Sequence, residues 1–219
     1  AAGRTQTDTT NNINFRQTTG FYTSFKKGDF LLWGDAYYQY GKSQPGKKVS
    51  AMLLDIEGSY KLNKIIPGVG FSYISGNSKA GASLTTDHLY DPIYRSRHTY
   101  NGFMDYYASY PKQTANGGLL NIYGFVDLAP SKKVSIRNNF HFFQLAETNS
   151  GTPTDKNLGI ENDLVTKFKF SGWGTLEGGY LFYLPSETLK SIQNVPNSKF
   201  SQFFYLQLLI VPTLFNQKI

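Results

Sequence analysis

The sequence predicts an all-β protein, a transmembrane antiparallel β-barrel of the outer-membrane type, and three observations predict it. Apolar and polar residues alternate along most of the strand-like runs. These runs span about 10 to 14 residues, whereas strands in soluble proteins usually have about 5 to 6. Short and long connections also alternate along the chain, as in barrels with short turns at one end and long loops at the other.

About nine runs carry the alternation, and the first eight form four hairpins. They span residues 13–26, 30–42, 49–62, 65–76, 119–128, 134–145, 158–170, 175–184 and 201–211. The turns Lys27-Gly28-Asp29 and Ala129-Pro130-Ser131 contain the Gly and Pro residues that favour chain reversal. A long loop, residues 76–117, separates the second hairpin from the third. The chain is therefore interpreted as a single β-barrel domain over residues 1–219, with one elaborated external loop.

The two faces of each strand differ in polarity. In residues 160–170, Ile160, Leu164 and Phe168 share one face, and Glu161, Asp163 and Lys167 share the other. A soluble β-sandwich is the alternative, because it would turn such an apolar face inward. Aromatic residues close to the short turns favour the membrane barrel, since rings of this kind sit at the headgroup level. They are Phe25, Phe30, Tyr60, Phe168, Phe170 and Trp173.

The polar faces carry the candidates for a lumen wall. They are Asp55, Glu57, Asp127, Arg137, His141, Glu161, Asp163, Lys167, Lys169 and Glu177. Both signs of charge occur, so we expect most of these groups to form salt bridges across the wall. A polyanion-selective channel should have a net basic constriction, and the residues alone do not predict one.

Composition excludes several classes. The chain has 219 residues and no cysteine, so a disulfide framework and a cysteine nucleophile are impossible. Its net charge is +7, but Lys and Arg are dispersed along the sequence, which argues against nucleic acid as a partner. No apolar run reaches about 18 residues, so no transmembrane helix is expected.

No enzyme, metal or cofactor is predicted. Ser135 and His141 share a face but lie about 20 Å apart along a strand, too far for activation of a nucleophile. The adjacent pair Asp87-His88 lacks the further ligands that a metal site needs.

The long loop holds the candidates for solute contact. Arg95 and Arg97 could attract an anionic solute, because guanidinium pairs bidentately with carboxylate. His98, Tyr100, Asp105 and Tyr106 could contact a sugar, or they could pin the loop to the barrel wall. Because loops beyond about 12 to 15 residues usually have a function or their own structure, we expect this one to fold over the lumen and restrict it. Residues 99–107 look like a strand.

Three motifs surround these residues. They are residues 68–77 (GVGFSYISGN), 90–94 (YDPIY) and 98–107 (HTYNGFMDYY). In this order they resemble the alginate-export family of outer-membrane β-barrels, over about residues 65–147. The resemblance implies a barrel of about 18 strands, an even number as in other outer-membrane barrels. The chain is similar to the C-terminal half, so more of the same chain or another chain is expected to close the barrel.

The resemblance also implies a function. It implies a porin-like channel in the outer membrane of a Gram-negative bacterium, through which hydrophilic solutes pass passively, with anionic saccharides as the family's solute class. The alternative is a structural barrel that serves as a subunit or scaffold of a larger outer-membrane complex. The expected partners are membrane lipid, a hydrophilic solute or saccharide, and other outer-membrane proteins.

Overall fold

The described part of the chain forms one large sheet, mostly of long strands, with two short helices. The computed structural model describes residues 2–3, 13–44, 46–79, 85–92, 101–197 and 199–212. The strands are β1 (Ala2–Gly3), β2 (Asn14–Lys27), β3 (Phe30–Lys42), β4 (Lys48–Tyr60), β5 (Ile65–Ile74), β6 (Thr86–Asp87), β7 (Leu119–Ser131), β8 (Val134–Gln144), β9 (Asn157–Lys169), β10 (Gly174–Pro185) and β11 (Ser201–Ile210). The helices are α1 (Tyr110–Gln113) and α2 (Glu187–Gln193).

The sheet is an antiparallel meander. Its order is β1-β2-β3-β4-β5-β7-β8-β9-β10-β11, so each strand of the path pairs with its neighbour in sequence. The short β6 lies off this path and pairs in parallel with the start of β4. The path has ten strands, one more than the nine predicted runs, because Ala2 and Gly3 pair with the start of β2. Over the described ranges the sheet is open, with β1 and β11 at its two ends.

All nine predicted runs form long strands, but the third hairpin turns later than expected. The predicted turn Ala129-Pro130-Ser131 is wrong, because β7 continues to Ser131 and the chain reverses at Lys132 and Lys133. The register shifts between Leu128 and Ser131. Proline has no N–H to donate and is tolerated at such an irregularity, so Pro130 bends the strand without ending it.

The two faces of the sheet are covered very differently. The outer face holds apolar side chains that the described residues leave uncovered, among them Val69 at 69% exposure and Phe204 at 71%. The inner face holds polar side chains, and Glu161 and Asp163 on it are fully buried. Loop residues 101–116 and helix α2 lie on this inner side, against side chains of β8, β9 and β10. The buried face is therefore the polar one.

The hydrophobic core is confined to one end of the inner face. The strand ends that meet the long loops supply Leu53, Ile74, Leu119, Phe143, Leu158 and Tyr183. Leu89, Tyr90 and Tyr107 of the long loop and Leu189 of α2 pack against them. We call this the loop end of the sheet, and the opposite end, where the hairpins reverse, the turn end. Burial of the loop thus stabilises only the loop end.

Two features of the connections differ from the sequence prediction. Helix α2 was not predicted; it begins after Ser186, whose side chain accepts a hydrogen bond from the Leu189 amide, and ends at Asn194 with a left-handed φ of 56°. The predicted strand over residues 99–107 is wrong in its described part, which forms turns. Gly102 and Asp105 have φ of 80° and 57°, and such left-handed residues interrupt a strand.

Neither helix in the described part of the chain has the length and apolar character needed to cross a membrane.

Candidate functional site on the inner face

A hydrogen-bonded polar wall runs across the middle of the inner face. The Glu57 carboxylate accepts from Trp33 Nε1 at 3.1 Å and from Tyr123 Oη at 2.8 Å. These three side chains come from β3, β4 and β7; β3 and β4 are neighbours, and β5 lies between β4 and β7. The wall therefore joins side chains across several strands through one carboxylate, whose two oxygens each have a partner.

His141 occupies the centre of the wall. Its Nδ1 lies 3.1 Å from Asn121 Oδ1, and its Nε2 lies 3.5 Å from Asp163 Oδ2. The imidazole ring is 5.3 Å from the Tyr123 ring and 5.5 Å from the Phe143 ring, and it is nearly parallel to the latter. His141 is buried, so its ring orientation is set by polar groups on both sides and by aromatic rings above and below.

The long loop is attached to the wall by its backbone. The amide of Met104 donates to Glu161 Oε1 at 2.8 Å, and the amide of Phe103 donates to Asp163 Oδ2 at 3.2 Å. Hydrogen bonds from backbone N–H to carboxylate are charge-assisted when the carboxylate is ionised. A Cβ on Gly102 would lie 2.4 Å from Glu161 Oε1, and its φ is 80°. Only glycine fits here, so the Asn-Gly-Phe string is explained by this attachment.

Aromatic residues hold the next part of the loop. The Tyr107 ring is 4.7 Å from the Phe143 ring, and its hydroxyl is hydrogen-bonded to the Tyr183 hydroxyl. Tyr106 stacks on Tyr183 at 4.2 Å between ring centroids, and its hydroxyl donates to Ser201 Oγ. Burial is the largest cause that raises the pKa of Tyr107 well above its usual value, and the neighbouring Tyr183 is the next largest. Tyr107 therefore stays neutral and acts as a buried anchor.

The first limb of the loop, residues 85–92, is attached to strands nearer the other end of the strand order, β2 and β3. Asp87 Oδ2 forms an ion pair with Arg16 of β2 at 3.0 Å. Asp87 Oδ1 accepts from Asn77 Nδ2 at 3.0 Å. Gln39 of β3 accepts from the Asp91 amide at 2.9 Å and donates to the Asp91 carbonyl at 2.6 Å. The first limb thus lies against β2 and β3. The later limb, residues 101–116, lies against β8, β9 and β10.

The turn end of the inner face is charged and open. Arg137 pairs with Asp127 at 3.2 Å and lies 4.2 Å above the Phe125 ring centroid. Lys167 pairs with Glu177 at 2.7 Å. A cavity of about 560 Å³ lies here, lined by both ion pairs, by Lys61 and Lys64 from the second turn, and by Phe103 of the loop. Polar solutes would meet fixed charges of both signs in this cavity.

The structure separates the predicted site residues into three groups. Arg95, Arg97, His98 and Tyr100 lie outside the described residues. Tyr106 stacks on Tyr183 at the loop end, whereas Asp105 lies in a turn of the loop. Lumen candidates are brought onto one face: His141, Glu161 and Asp163 are joined at its centre, Asp55 and Glu57 lie on β4, and Asp127, Arg137, Lys167 and Glu177 border the cavity. Lys169 is exposed at the turn end.

Sequence reasoning missed several residues that build this site. Asn121 and Gln39 are buried polar residues of the inner face, and Asn149 donates from Nδ2 to the carbonyls of Asn77 and Ala115, so it ties two loops together. Alternation along β7 puts Asn121 on the polar face with Tyr123, but the pattern does not single it out as a site residue. Asn149 had no such signal, since its partners are distant in sequence.

In the ranges that the structure describes, no three carboxylate or imidazole side chains converge to hold a metal ion. Comparisons with protein-family models and with curated proteins find no match for the chain. The resemblance to the alginate-export family accordingly stays a prediction based on the three motifs.

Proposed function

We propose that this chain forms part of an outer-membrane β-barrel channel for hydrophilic solutes. The observation that carries the proposal is the inverted polarity of the sheet. The apolar face is open, whereas the polar face is buried beneath the chain's own loop. A soluble sheet buries its apolar side, because exposure of that surface costs about 25 cal/mol per Å². A face like this one suits the hydrocarbon interior of a membrane.

The distribution of aromatic residues supports the same conclusion. Phe25, Phe30, Tyr60, Phe168 and Trp173 are exposed and lie close to the turn end. Phe170 and Trp173 also contact each other, with ring centroids 5.7 Å apart. Amphipathic rings concentrate at membrane interfaces, so these residues would form one of the two aromatic girdles of a barrel.

The inner face supports passage of polar rather than apolar solutes. Fixed charges of both signs border the cavity at the turn end, and the loop attached to Glu161 and Asp163 covers part of the middle of the inner face. The two ion pairs carry equal numbers of positive and negative charges, and Lys61 and Lys64 add two positive charges to the cavity lining. Anionic saccharides are proposed on the strength of the family resemblance alone.

The second candidate is a structural barrel that acts as a subunit or scaffold of an outer-membrane complex. One observation favours it: the loop end of the inner face is filled by apolar packing around Tyr107, Phe143 and Leu189, which are fully buried. A plug of this kind could close the path completely. The two candidates share the membrane barrel and differ only in whether solutes pass.

Two measurements test these proposals in turn. A membrane barrel should stay in the membrane after salt and alkali extraction and should need detergent for solubility; a folded monomer in detergent-free buffer would refute the membrane assignment. Conductance in planar bilayers then separates the candidates. A channel gives discrete conductance steps, whereas a closed scaffold gives none.

The loop offers a sharper version of the conductance test. Deletion of residues 87–112 would remove Leu89, Tyr90 and Tyr107 from the core and would destabilise the protein. The variant Tyr107→Ala removes one of these core residues and keeps the rest of the loop and all strands in the sequence. If the loop restricts the path, this variant should conduct more per channel than the parent protein. Equal conductance in a correctly assembled variant would mean that the loop lies outside the path.

A further inference from the structure

The turn end of the sheet carries most of the net charge of the chain. The first turn supplies Lys26 and Lys27, the second Lys61 and Lys64, the third Lys132 and Lys133, and the fourth Lys169. Asp29 is the one acidic residue within these turns. Seven lysines and one aspartate leave six positive charges here, while the whole chain has a net charge of +7. Charges that are dispersed in the sequence are therefore gathered by the fold.

Backbone hydrogen bonds make the four turns one continuous edge. The Lys61 amide donates to the Asp29 carbonyl at 2.9 Å, which links the first turn to the second. The Ala129 amide donates to the Lys64 carbonyl, and the Lys169 amide donates to the Lys133 carbonyl, both at 2.8 Å. The lysines therefore form a fixed row along the sheet rather than seven independent surface charges. We call this row the lysine rim.

The ammonium groups of the rim are available. All seven side chains are exposed, and two of them, Lys61 and Lys64, also border the turn-end cavity. Within the described part of the chain none of them forms an ion pair, and Lys64 donates only to the Pro130 carbonyl. The loop end has lysines as well, but acidic residues accompany them there: Asp87, Asp91, Asp105, Glu147, Asp155 and Glu187. General solubility would not require this difference between the two ends, since lysines of either end serve it.

We infer that the lysine rim binds the anionic headgroups of phospholipids in the leaflet next to the turns. The inference rests on the proposed membrane function. The exposed rings of Phe25, Tyr60, Phe168 and Trp173 lie directly beside the rim, so a membrane that accepts these rings places its headgroups at the lysines. Lysine suits this position because its aliphatic stem can lie along apolar surface while the ammonium group reaches a phosphate. Basic residues near an anionic leaflet each gain about 1 kcal/mol.

Trp173 provides a reporter for the test. The chain has two tryptophans. Trp33 points to the inner face and donates to Glu57, while Trp173 is exposed beside the fourth turn. In the full chain carrying Trp33→Phe, the remaining fluorescence reports on lipid at the turn end. The protein is assembled in vesicles that contain equal fractions of phosphatidylcholine and phosphatidylglycerol, with either one or the other lipid brominated as a quencher.

The expected result is stronger quenching by brominated phosphatidylglycerol than by brominated phosphatidylcholine. This excess should disappear in 1 M salt, where electrostatic interactions are screened beyond about 3 Å. It should also disappear in the variant Lys27→Gln, Lys132→Gln, Lys133→Gln, Lys169→Gln. The matched control Lys42→Gln, Lys48→Gln, Lys79→Gln, Lys112→Gln removes the same charge from exposed loop-end positions and should keep the excess.

Each other outcome refutes a specific statement. Absence of quenching by both lipids would refute the membrane assignment itself. Equal quenching by both lipids would keep the membrane but overturn the lipid-binding inference; binding of poly-glutamate to the same lysines would then identify an acidic protein as their partner. If the turn variant does not assemble, the salt titration of the parent protein decides, because an excess that survives 1 M salt cannot come from the lysine rim.

Discussion

The loop end and the turn end of the inner face belong to the same strands but have opposite chemistry. Along β4 the inward side chains change from Leu53 to Asp55 and Glu57 as the strand runs from the loop end to the turn end. Strand β10 runs from the turn end to the loop end, and its inward side chains change from Glu177, through Leu181, to Tyr183. Inward residues are apolar at the loop end, buried and polar across the middle of the face, and charged beside the open cavity at the turn end.

This difference separates a tightly packed region from one that is open to solvent. At the loop end, buried aromatic and aliphatic residues are packed between the sheet, the long loop and α2, so substitutions there should create cavities. At the turn end, the ion pairs border an open cavity and are partly screened by solvent. We therefore expect large changes in stability from loop-end variants and small ones from turn-end variants.

The largest effect is expected for Tyr107→Ala. Tyr107 is fully buried against Phe143 and Tyr183, and truncation of a buried aromatic residue costs about 3 to 5 kcal/mol. Denaturant unfolding in a defined detergent or lipid measures this change. Phe103→Ala is the matched control, because Phe103 belongs to the same loop but is exposed. If the two variants lose the same free energy of unfolding, the loop end is no better packed than the surface of the loop.

A second variant tests why the loop attaches where it does. Gly102→Ala places a methyl group 2.4 Å from a carboxylate oxygen of Glu161 and puts a non-glycine residue at positive φ. Residues held in this region cost of order 1 to 3 kcal/mol, and the clash adds to that cost. Gly28→Ala is the control, since Gly28 also has a positive φ, at 59°, but nothing lies within 4 Å of its Cβ position.

The comparison of these two glycine variants isolates the contact. Both lose the conformational freedom of glycine, and only Gly102→Ala pushes the loop away from Glu161. A greater loss of stability at Gly102, with increased protease cleavage in the loop, is expected. Equal destabilisation would mean that backbone conformation alone explains Gly102 and that the carboxylate contacts do not hold the loop.

The sequence predicted the strands well because their signal is local. Alternation with a period of two residues appears within most of the runs, and all nine predicted runs form strands. The turn at Lys132 and Lys133 was missed because Pro130 looks like a turn residue but lies in an irregular part of β7. Helix α2 was missed because a helix of seven residues shows barely two turns of pattern.

Attachment of the loop could not be predicted in the same way. Met104 and Glu161 are 57 residues apart, and Phe103 and Asp163 are 60 apart, so no window of sequence contains both partners. The motif at residues 98–107 contains the attached residues, but the sequence does not show that Gly102 combines a left-handed φ with a close approach to the Glu161 carboxylate. Likewise, the lysine rim exists only after the hairpins have aligned their turns.

A smaller effect is expected for Tyr107→Phe. The substitution keeps the ring and removes the hydroxyl that is bonded to Tyr183, so at neutral pH it should cost about 0.5 to 1.5 kcal/mol. The pKa of Tyr107 is raised in the folded protein, which means that the folded state keeps a proton that the unfolded chain loses near pH 10. The protonated Tyr107 hydroxyl therefore contributes to the stability of the folded state below pH 10, and this contribution is lost as the pH rises further.

Alkaline unfolding checks this sign. The stability of the parent protein should fall more steeply between about pH 10 and 12 than that of Tyr107→Phe, because the variant lacks the titrating group. The two stability curves should approach each other as pH rises. Parallel curves would show that the Tyr107 hydroxyl is ionised as easily in the folded protein as in the unfolded chain, and so is not buried at the loop end.

The smallest effect is expected at the turn end, for the ion pair of Lys167 with Glu177. The two groups are 2.7 Å apart, but the Lys167 side chain is 54% exposed, so solvent screens the attraction. Partly exposed pairs of this kind typically contribute about 0.2 to 1 kcal/mol. Glu177 also accepts a hydrogen bond from Tyr205, so Lys167→Gln leaves the carboxylate with a partner. A double-mutant cycle with Lys167→Gln and Glu177→Gln measures the coupling free energy directly.

The same variants have a second readout at this position. If solutes pass the cavity, Lys167→Gln should shift the ion selectivity of the channel toward cations, because it removes one positive charge from the wall and changes little else. Glu177→Gln should shift it toward anions. A coupling free energy above about 2 kcal/mol would contradict the contrast between the two ends, since only a desolvated pair reaches that size. Unchanged selectivity in both variants would remove the turn-end cavity from the permeation path.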